Sequence, residues 1–383
     1  MKKRMAKITS ALLVSAMAVS MMAGCGSDQT TTEESTSGSS ADTESTSSGD
    51  TAGVMSNEEI IKKAAEEGKV SNWGIGNQYE IQALLAKYDL PTDYLSEDFT
   101  MDAFDDDSST LASAMTYNEL GLVKNDYDGG YGYGDSVGYI DMNDEGVAML
   151  EDMIFCTKEF AEENPETVKA FLYASIKGWE YAVENPEEAA QIVYEAGSSV
   201  SQDHQKYMAE EVAKLVKTDM NGNEVSEIGK IDDDAMQQTL DIAKKYVTLD
   251  DSSAQEAFAD LTLDDIRDTS FYEAAESSDG SFSPEKSNIS IQLKWLPQAQ
   301  FMGYYVAAAK GYYDEVGLTV DIVSGGGDIS ETTAVNNGTV DFGVTWPTNM
   351  AVANAGGMNL VEVAQIYQRS GMTLVYKYDN FKE

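Results

Sequence analysis

Short apolar runs crowd the last quarter of the chain, at residues 289–293, 318–323, 340–345, 360–367 and 372–376. Each is five to eight residues long, the length of a strand rather than a helix, and helical spacing fills several of the gaps. Strand, helix and strand in succession predict a parallel sheet built from βαβ units. Such sheets bind ligands where loops leave the carboxyl ends of the strands, here "WLPQAQF" and "TWPTN". Upstream, Ser56 and Glu59 form a capping box ahead of an apolar face of Ile60, Ile61, Ala64 and Ala65. "KVSNWGIG" reads as a strand entering a Gly-rich turn, with a helix over 79–87. "LASAMTYNELGLV" reads as helical or half-helical, and "NDYDGGYGYGDSVGY" as a loop. Two helices are expected to start at Asn164-Pro165-Glu166 and Asn185-Pro186-Glu187, each with an Asn cap and Pro at the first position. The polar stretch 276–288 reads as an internal linker.

The beginning of the chain has a different character. Lys2, Lys3 and Arg4 precede an apolar, small-residue stretch over 8–23 that ends in Met22-Ala23-Gly24-Cys25. This pattern predicts a signal peptide over 1–25 with Cys25 lipidated, the alternative being an ordinary signal peptide with an incidental cysteine. Two or more acyl chains bury enough methylenes for stable anchoring. Residues 26–55 are rich in Ser, Thr, Gly, Asp and Glu and read as a disordered tether. Lipid, tether and folded unit together place the protein at the extracytoplasmic face of the cell membrane, held by its lipid alone. With Cys25 lipidated, Cys156 is the one remaining thiol, which leaves no internal disulfide and no Cys/His zinc site. The formal charge of −42 over 383 residues argues against nucleic acid and anionic membrane surfaces as partners.

Catalytic patterns are sparse. The single histidine, His204, sits in the polar segment "SQDHQKYMAE" and is expected to be a solvated surface residue. There is no GxSxG and no Walker loop. The segment 219–230 resembles a calcium loop but has its Gly misplaced and Lys230 where a bidentate Glu is required. "SGGGD" at 324–328 is either a turn or a nest of amides for an anion. Aromatic and amide residues, in contrast, cluster at predicted strand ends. Trp295, Gln298, Gln300, Phe301 and Tyr304 follow one strand, Thr345 and Trp346 another, and Gln368 a third. Trp73 and Asn77 follow an early strand, and Tyr117, Asn118 and Glu119 add a carboxylate. Together they predict a cleft that stacks and hydrogen-bonds a planar, polar molecule.

Longer motifs carry a resemblance. "LKWLPQAQFMGYYVAAAKGYYDEVGLTVDIVSGGGD", "NNGTVDFGVTW" and "AQIYQRSGMTLV" resemble the first third of periplasmic-type solute-binding proteins of ABC importers. The family joins sulfonate, taurine and nitrate binders to the fungal thiamine-pyrimidine synthase. "VSNWGIGNQYEIQALLAKYDL", "SAMTYNEL", "IDMNDEGVAMLEDMIF" and "AFLYASIKGWEYAVENPEEAA" resemble the remaining two-thirds. The family's usual beginning therefore follows its usual end, as in a circular permutation joined through 276–288; a misassembled gene is the rival account.

The resemblance implies an α/β, two-lobed periplasmic-binding-protein type II fold, circularly permuted. Residues 56–275 would be the family's C-terminal portion, with one lobe at about 70–142 followed by part of the other. Residues 289–383 would be its N-terminal portion, supplying most of the second lobe and a last strand, 372–377, expected to pair beside 69–73. The implied function is non-enzymatic: binding a small aromatic heterocycle, a thiamine pyrimidine precursor or a riboflavin-like molecule, between the lobes, with no cofactor. ABC permease and ATPase subunits would be the partners. A sulfonate, taurine or nitrate ligand is the alternative. A synthase is disfavoured, because that enzyme consumes a histidine and uses a cysteine-rich iron site, whereas this chain has one His and two Cys.

Overall fold

Ten strands occur among residues 53–198 and 200–382, which the computed structural model describes. The leader with Cys25, and the tether as far as residue 52, lie outside the described residues. In chain order the strands are β1 (Val70–Asn72), β2 (Leu95–Ser96), β3 (Leu111–Met115), β4 (Val137–Asp141), β5 (Met153–Thr157), β6 (Asn288–Gln292), β7 (Thr319–Val323), β8 (Phe342–Thr345), β9 (Leu360–Gln365) and β10 (Met372–Lys377). They form two five-stranded sheets, ordered β2-β1-β3-β10-β4 and β7-β6-β8-β5-β9. Each sheet is the centre of one lobe, so the two-lobed α/β class expected from the sequence is the class observed.

The sheets are mixed, which corrects the all-parallel expectation. β1, β2 and β3 run parallel, as do β6, β7 and β8. β10 is antiparallel to both β3 and β4, and β5 to both β8 and β9. These two strands are the ones the chain enters directly from the other lobe, without the crossover helix that parallel pairing needs. The expected pairing of 372–377 beside 69–73 is also corrected, because β3 lies between them. β3 itself was expected to be helical. All five of its residues are buried, so neither face shows the alternation that identifies a half-exposed strand.

Strands from both parts of the chain interleave, and so do helices. Pro165–Glu184 packs on Met302–Ala309, with Gly178 against the Gly303 carbonyl and Gly303 against the Trp179 ring. A Cβ at either glycine would lie within 2.3 Å of those neighbours, so the missing side chains let the two backbones approach. Pro165 and Pro186 open helices as expected, but the preceding asparagines do not cap them. Asn164 and Asn185 instead donate through Nδ2 to the carbonyls of Phe160 and Tyr181, closing the helices before. The N-terminus of Pro165–Glu184 is satisfied from the linker, where the Glu285 carboxylate accepts from the amides of Glu166 and Thr167 at 3.2 and 2.9 Å. The linker stretch is thus docked, with Phe282 against Tyr173 and Lys286 Nζ 2.5 Å from Asp341 Oδ1. The last tether residues are folded too: Val54 bridges Lys382, and the Met55 amide donates to the Phe381 carbonyl at 3.0 Å.

Candidate functional site

The parallel strands of the two sheets point their carboxyl ends at one cleft. After β1, the turn Gly74-Ile75-Gly76 holds three successive residues at positive φ, of 80°, 54° and 111°. The Asn72 side chain pins it by accepting from the Gly74 amide at 2.7 Å. Left-handed backbone is unfavourable for a β-branched residue such as Ile75, and the turn projects Trp73, Ile75 and Asn77 into the cleft wall. Phe99 follows β2, and Met115, Tyr117, Asn118 and Glu119 follow β3. The other lobe supplies Lys294, Trp295, Gln298 and Gln300 after β6, and Trp346 after β8. Between these side chains lies about 470 Å³ of space free of atoms, a figure that includes the open mouth of the cleft. Phe99 and Trp295 meet across it edge to face, with centroids 4.8 Å apart.

Two chains of hydrogen bonds run back from this wall. In the first, Glu119 accepts from the Met115 amide at 3.0 Å and from Asn118 Nδ2 at 2.8 Å. Asn118 Oδ1 lies 2.8 Å from His204 Nε2, and His204 Nδ1 lies 2.5 Å from the Tyr127 hydroxyl. An amide carbonyl only accepts, so Nε2 carries the imidazole proton and Tyr127 donates to Nδ1. His204 is buried, which corrects the expectation of a solvated residue: its helix, Gln202–Lys217, lies against the opposite lobe, so its polar face is covered. Burial holds the imidazole down to about 4 and raises Glu119 to about 7.

In the second chain, Gln298 Nε2 donates to Gln300 Oε1 at 2.7 Å, and Gln300 Nε2 donates to Asp152 Oδ2 at 2.8 Å. Trp346 Nε1 donates to the other carboxylate oxygen, Oδ1, at 2.9 Å. Asp152 is buried at the foot of β5 with φ 21°, and burial raises its carboxyl to about 6 against the lowering effect of Gln300 and Lys294. Lys294, the cation of the cleft wall, is taken up by Glu331 at 3.3 Å and by the Trp346 ring face at 4.5 Å.

Of the residues expected at the site, Trp73, Asn77, Tyr117, Asn118, Glu119, Trp295, Gln298, Gln300 and Trp346 line the cleft together. Four do not. Phe301 and Tyr304 point into the core, Tyr304 against Trp179 at 5.6 Å, because the helix they open is covered by Pro165–Glu184. Thr345 donates its hydroxyl to Glu331, and Gln368 spends its amide on the carbonyls of Lys230 and Gln365. Sequence reasoning missed Ile75, Phe99, Met115 and Lys294 in the lining, and Asp152 behind it. The acidic pair in "VAMLEDMIFC", wedged into an apolar run, was the available signal for Asp152. The glycine run 324–328 is a turn: Gly325 donates its amide to the Trp295 carbonyl, and a Cβ there would lie 2.1 Å from the Leu293 carbonyl. Asp219 is likewise used within its own turn, by the amides of Asn221 and Asn223.

Among the described residues no group of His, Cys, Asp and Glu is arranged to hold a metal ion, and no helix is long and apolar enough to cross a membrane. None of the curated proteins compared with the chain matches it. The family profile described as NMT1/THI5 like matches residues 67–189 and 298–381, more than half of the chain. That family consists mostly of solute-binding proteins of the two-lobed periplasmic type, which in general work with ABC transporters, and includes some synthases. The matched segments carry most of both cleft walls, from Trp73 to Glu119 and from Gln298 to Trp346, with Lys294 and Trp295 just outside them. On that match the chain belongs to the NMT1/THI5-like family.

Proposed function

We propose that the chain is a lipid-anchored solute-binding protein that captures a small planar amino-heterocycle between its lobes and delivers it to an ABC permease. The observation that carries this reading is a cleft with tryptophans from both lobes, Trp73, Trp295 and Trp346, and a buried carboxylate, Glu119, at its wall. Aromatic faces stack a flat ring, and a carboxylate accepts from ring or exocyclic N–H groups with a charge-assisted bond of roughly 1.5–3 kcal/mol. A sulfonate or nitrate needs free cations or amides, whereas Lys294 is already engaged by Glu331. A synthase that consumes its own histidine finds no support in His204, which does not line the cleft and whose two ring nitrogens are taken up by Tyr127 and Asn118. Anchoring rests on Met22-Ala23-Gly24-Cys25. The swapped order of the family's segments fits a permutation: Val54 and Lys382 lie side by side, and a permuted chain would have its original ends joined through 276–288.

Tryptophan fluorescence titration with a thiamine pyrimidine precursor and with riboflavin, on wild type and Glu119→Gln, tests the ligand. Quenching by one of them, weakened in the variant, is the expected result. Binding of taurine or nitrate alone would overturn the heterocycle reading. For the anchor, Cys25→Ser should release the protein from membranes, and unchanged membrane fractionation would remove that part.

A further inference from the structure

Asp152 is 2 % exposed and does not line the cleft, yet both of its carboxylate oxygens are bonded to side chains that do. Trp346 Nε1 is a donor only, and an ionised carboxylate is an acceptor only. Gln300 must therefore turn its NH2 group toward Asp152, at 2.8 Å, and its carbonyl oxygen away. That carbonyl, 2.7 Å from Gln298 Nε2, in turn draws the NH2 group of Gln298 away from the cleft. Gln298 is left with its own carbonyl oxygen, Oε1, which accepts from no described residue. Nearby, the buried Asn77 Oδ1 is also unpartnered, and Glu119 has acceptor capacity beyond its two protein bonds. The one buried donor of the lining without a partner is Trp73 Nε1.

We propose that Asp152 is a positioning residue that sets the hydrogen-bonding sense of the cleft through Gln300 and Gln298, so that the site presents acceptors and selects a ligand rich in N–H donors. This deepens the reading of the site as a heterocycle pocket and rests on it. An amino-substituted ring with one ring nitrogen free to accept from Trp73 matches the pattern. Its oxo counterpart, which turns a carbonyl toward Gln298 Oε1, sets acceptor against acceptor. Such a mismatch leaves a buried polar group unsatisfied, a penalty equivalent to about tenfold or more in affinity.

The test is Asp152→Asn, whose side chain tolerates the positive φ of this position. The neutral amide can offer its NH2 to Gln300 and its carbonyl to Trp346, which reverses the orientation of both glutamines. Binding of a 4-amino-5-hydroxymethylpyrimidine and of the matching 4-oxo compound is measured for both proteins. Wild type should favour the amino probe by about tenfold or more, and the variant should lose or invert that ratio. An unchanged ratio, or an equal loss for both probes, would show that Asp152 serves only the fold and would overturn the proposal. Gln300→Met, which cuts the chain while leaving Asp152 on Trp346, should also collapse the ratio and stands in should the first variant not fold. A ligand-free readout separates the two readings: hydrogen exchange of the Gln298 side-chain amide, followed by 15N NMR, should be slow in wild type and quicken in Asp152→Asn. If neither probe binds wild type but Gln298 exchange responds, the heterocycle reading fails and the relay stands. If Gln298 exchange does not respond, the relay fails whatever binds.

Discussion

His204 Nε2 lies 2.8 Å from Asn118 Oδ1 and joins a helix of the larger lobe to the cleft wall of the smaller one. The bond reaches the site through Asn118 Nδ2, which it orients toward Glu119. Tyr207, one turn along the same helix, adds a second tie by donating its hydroxyl to the Thr116 carbonyl at 2.7 Å. The closed arrangement of this edge of the cleft is therefore held by neutral hydrogen bonds rather than by ion pairs.

Replacing His204 by Phe keeps a ring of similar size, leaves Asn118 Oδ1 without its donor and takes the imidazole acceptor from the Tyr127 hydroxyl. The expected loss of stability is about 1–3 kcal/mol, read from the urea midpoint at constant m. Ligand affinity should fall as well, because Asn118 no longer holds Glu119. A midpoint within error of wild type would place no weight on this contact.

Burial raises Glu80, Glu97 and Glu362 to about 8 and Glu119 to about 7, from an ordinary value of 4.5. Over that interval the unfolded chain has given up protons that the folded chain keeps, so stability declines as pH rises from about 4.5 to about 8. His204 has the opposite sign: held down to about 4, it withdraws stability as pH falls below about 6.5. Four carboxyls outweigh one imidazole, and the melting temperature is expected to be higher at pH 6 than at pH 8 at fixed salt. Both carboxylate oxygens of Glu362 are buried without partners, so Glu362→Gln should flatten the slope. A melting temperature that climbs from pH 6 to pH 8 contradicts this.

Gly303→Ala would set a Cβ 2.2 Å from the Trp179 ring, inside the contact between helices from the two parts of the chain. Neither backbone can move without disturbing the core, and a destabilisation of about 1–3 kcal/mol is expected. Chemical denaturation followed by tryptophan fluorescence would measure it. A wild-type midpoint would mean that the helices are not pressed together there.

Trp295 is half-buried and meets Phe99 across the cleft. Trp295→Ala should weaken ligand binding by roughly tenfold or more, from lost stacking of about 0.5–1.5 kcal/mol together with lost apolar burial. Thermal stability should change little by comparison. Calorimetric titration beside a melting curve distinguishes this from a folding defect, in which both would drop.

Much of the scaffold was legible locally. Strands such as Leu360–Gln365 follow from apolar runs, and the proline-opened helices from the chemistry of a first turn. Clusters at strand ends led to nine of the cleft residues because backbone direction alone places a loop at the end of its strand. What tertiary structure decided was which face each side chain turns and what meets it there. Phe301 and Tyr304 look no different in sequence from Trp295, yet a helix drawn from the other part of the chain covers them. His204 reads as polar surface until the opposite lobe closes over it. Asp152 acquires its role from Gln300 and Trp346, which lie 148 and 194 residues away. Periodicity records how a segment meets an apolar or aqueous surface. It carries no record of which distant donor will satisfy a buried acceptor, since that pairing exists only once the lobes have packed.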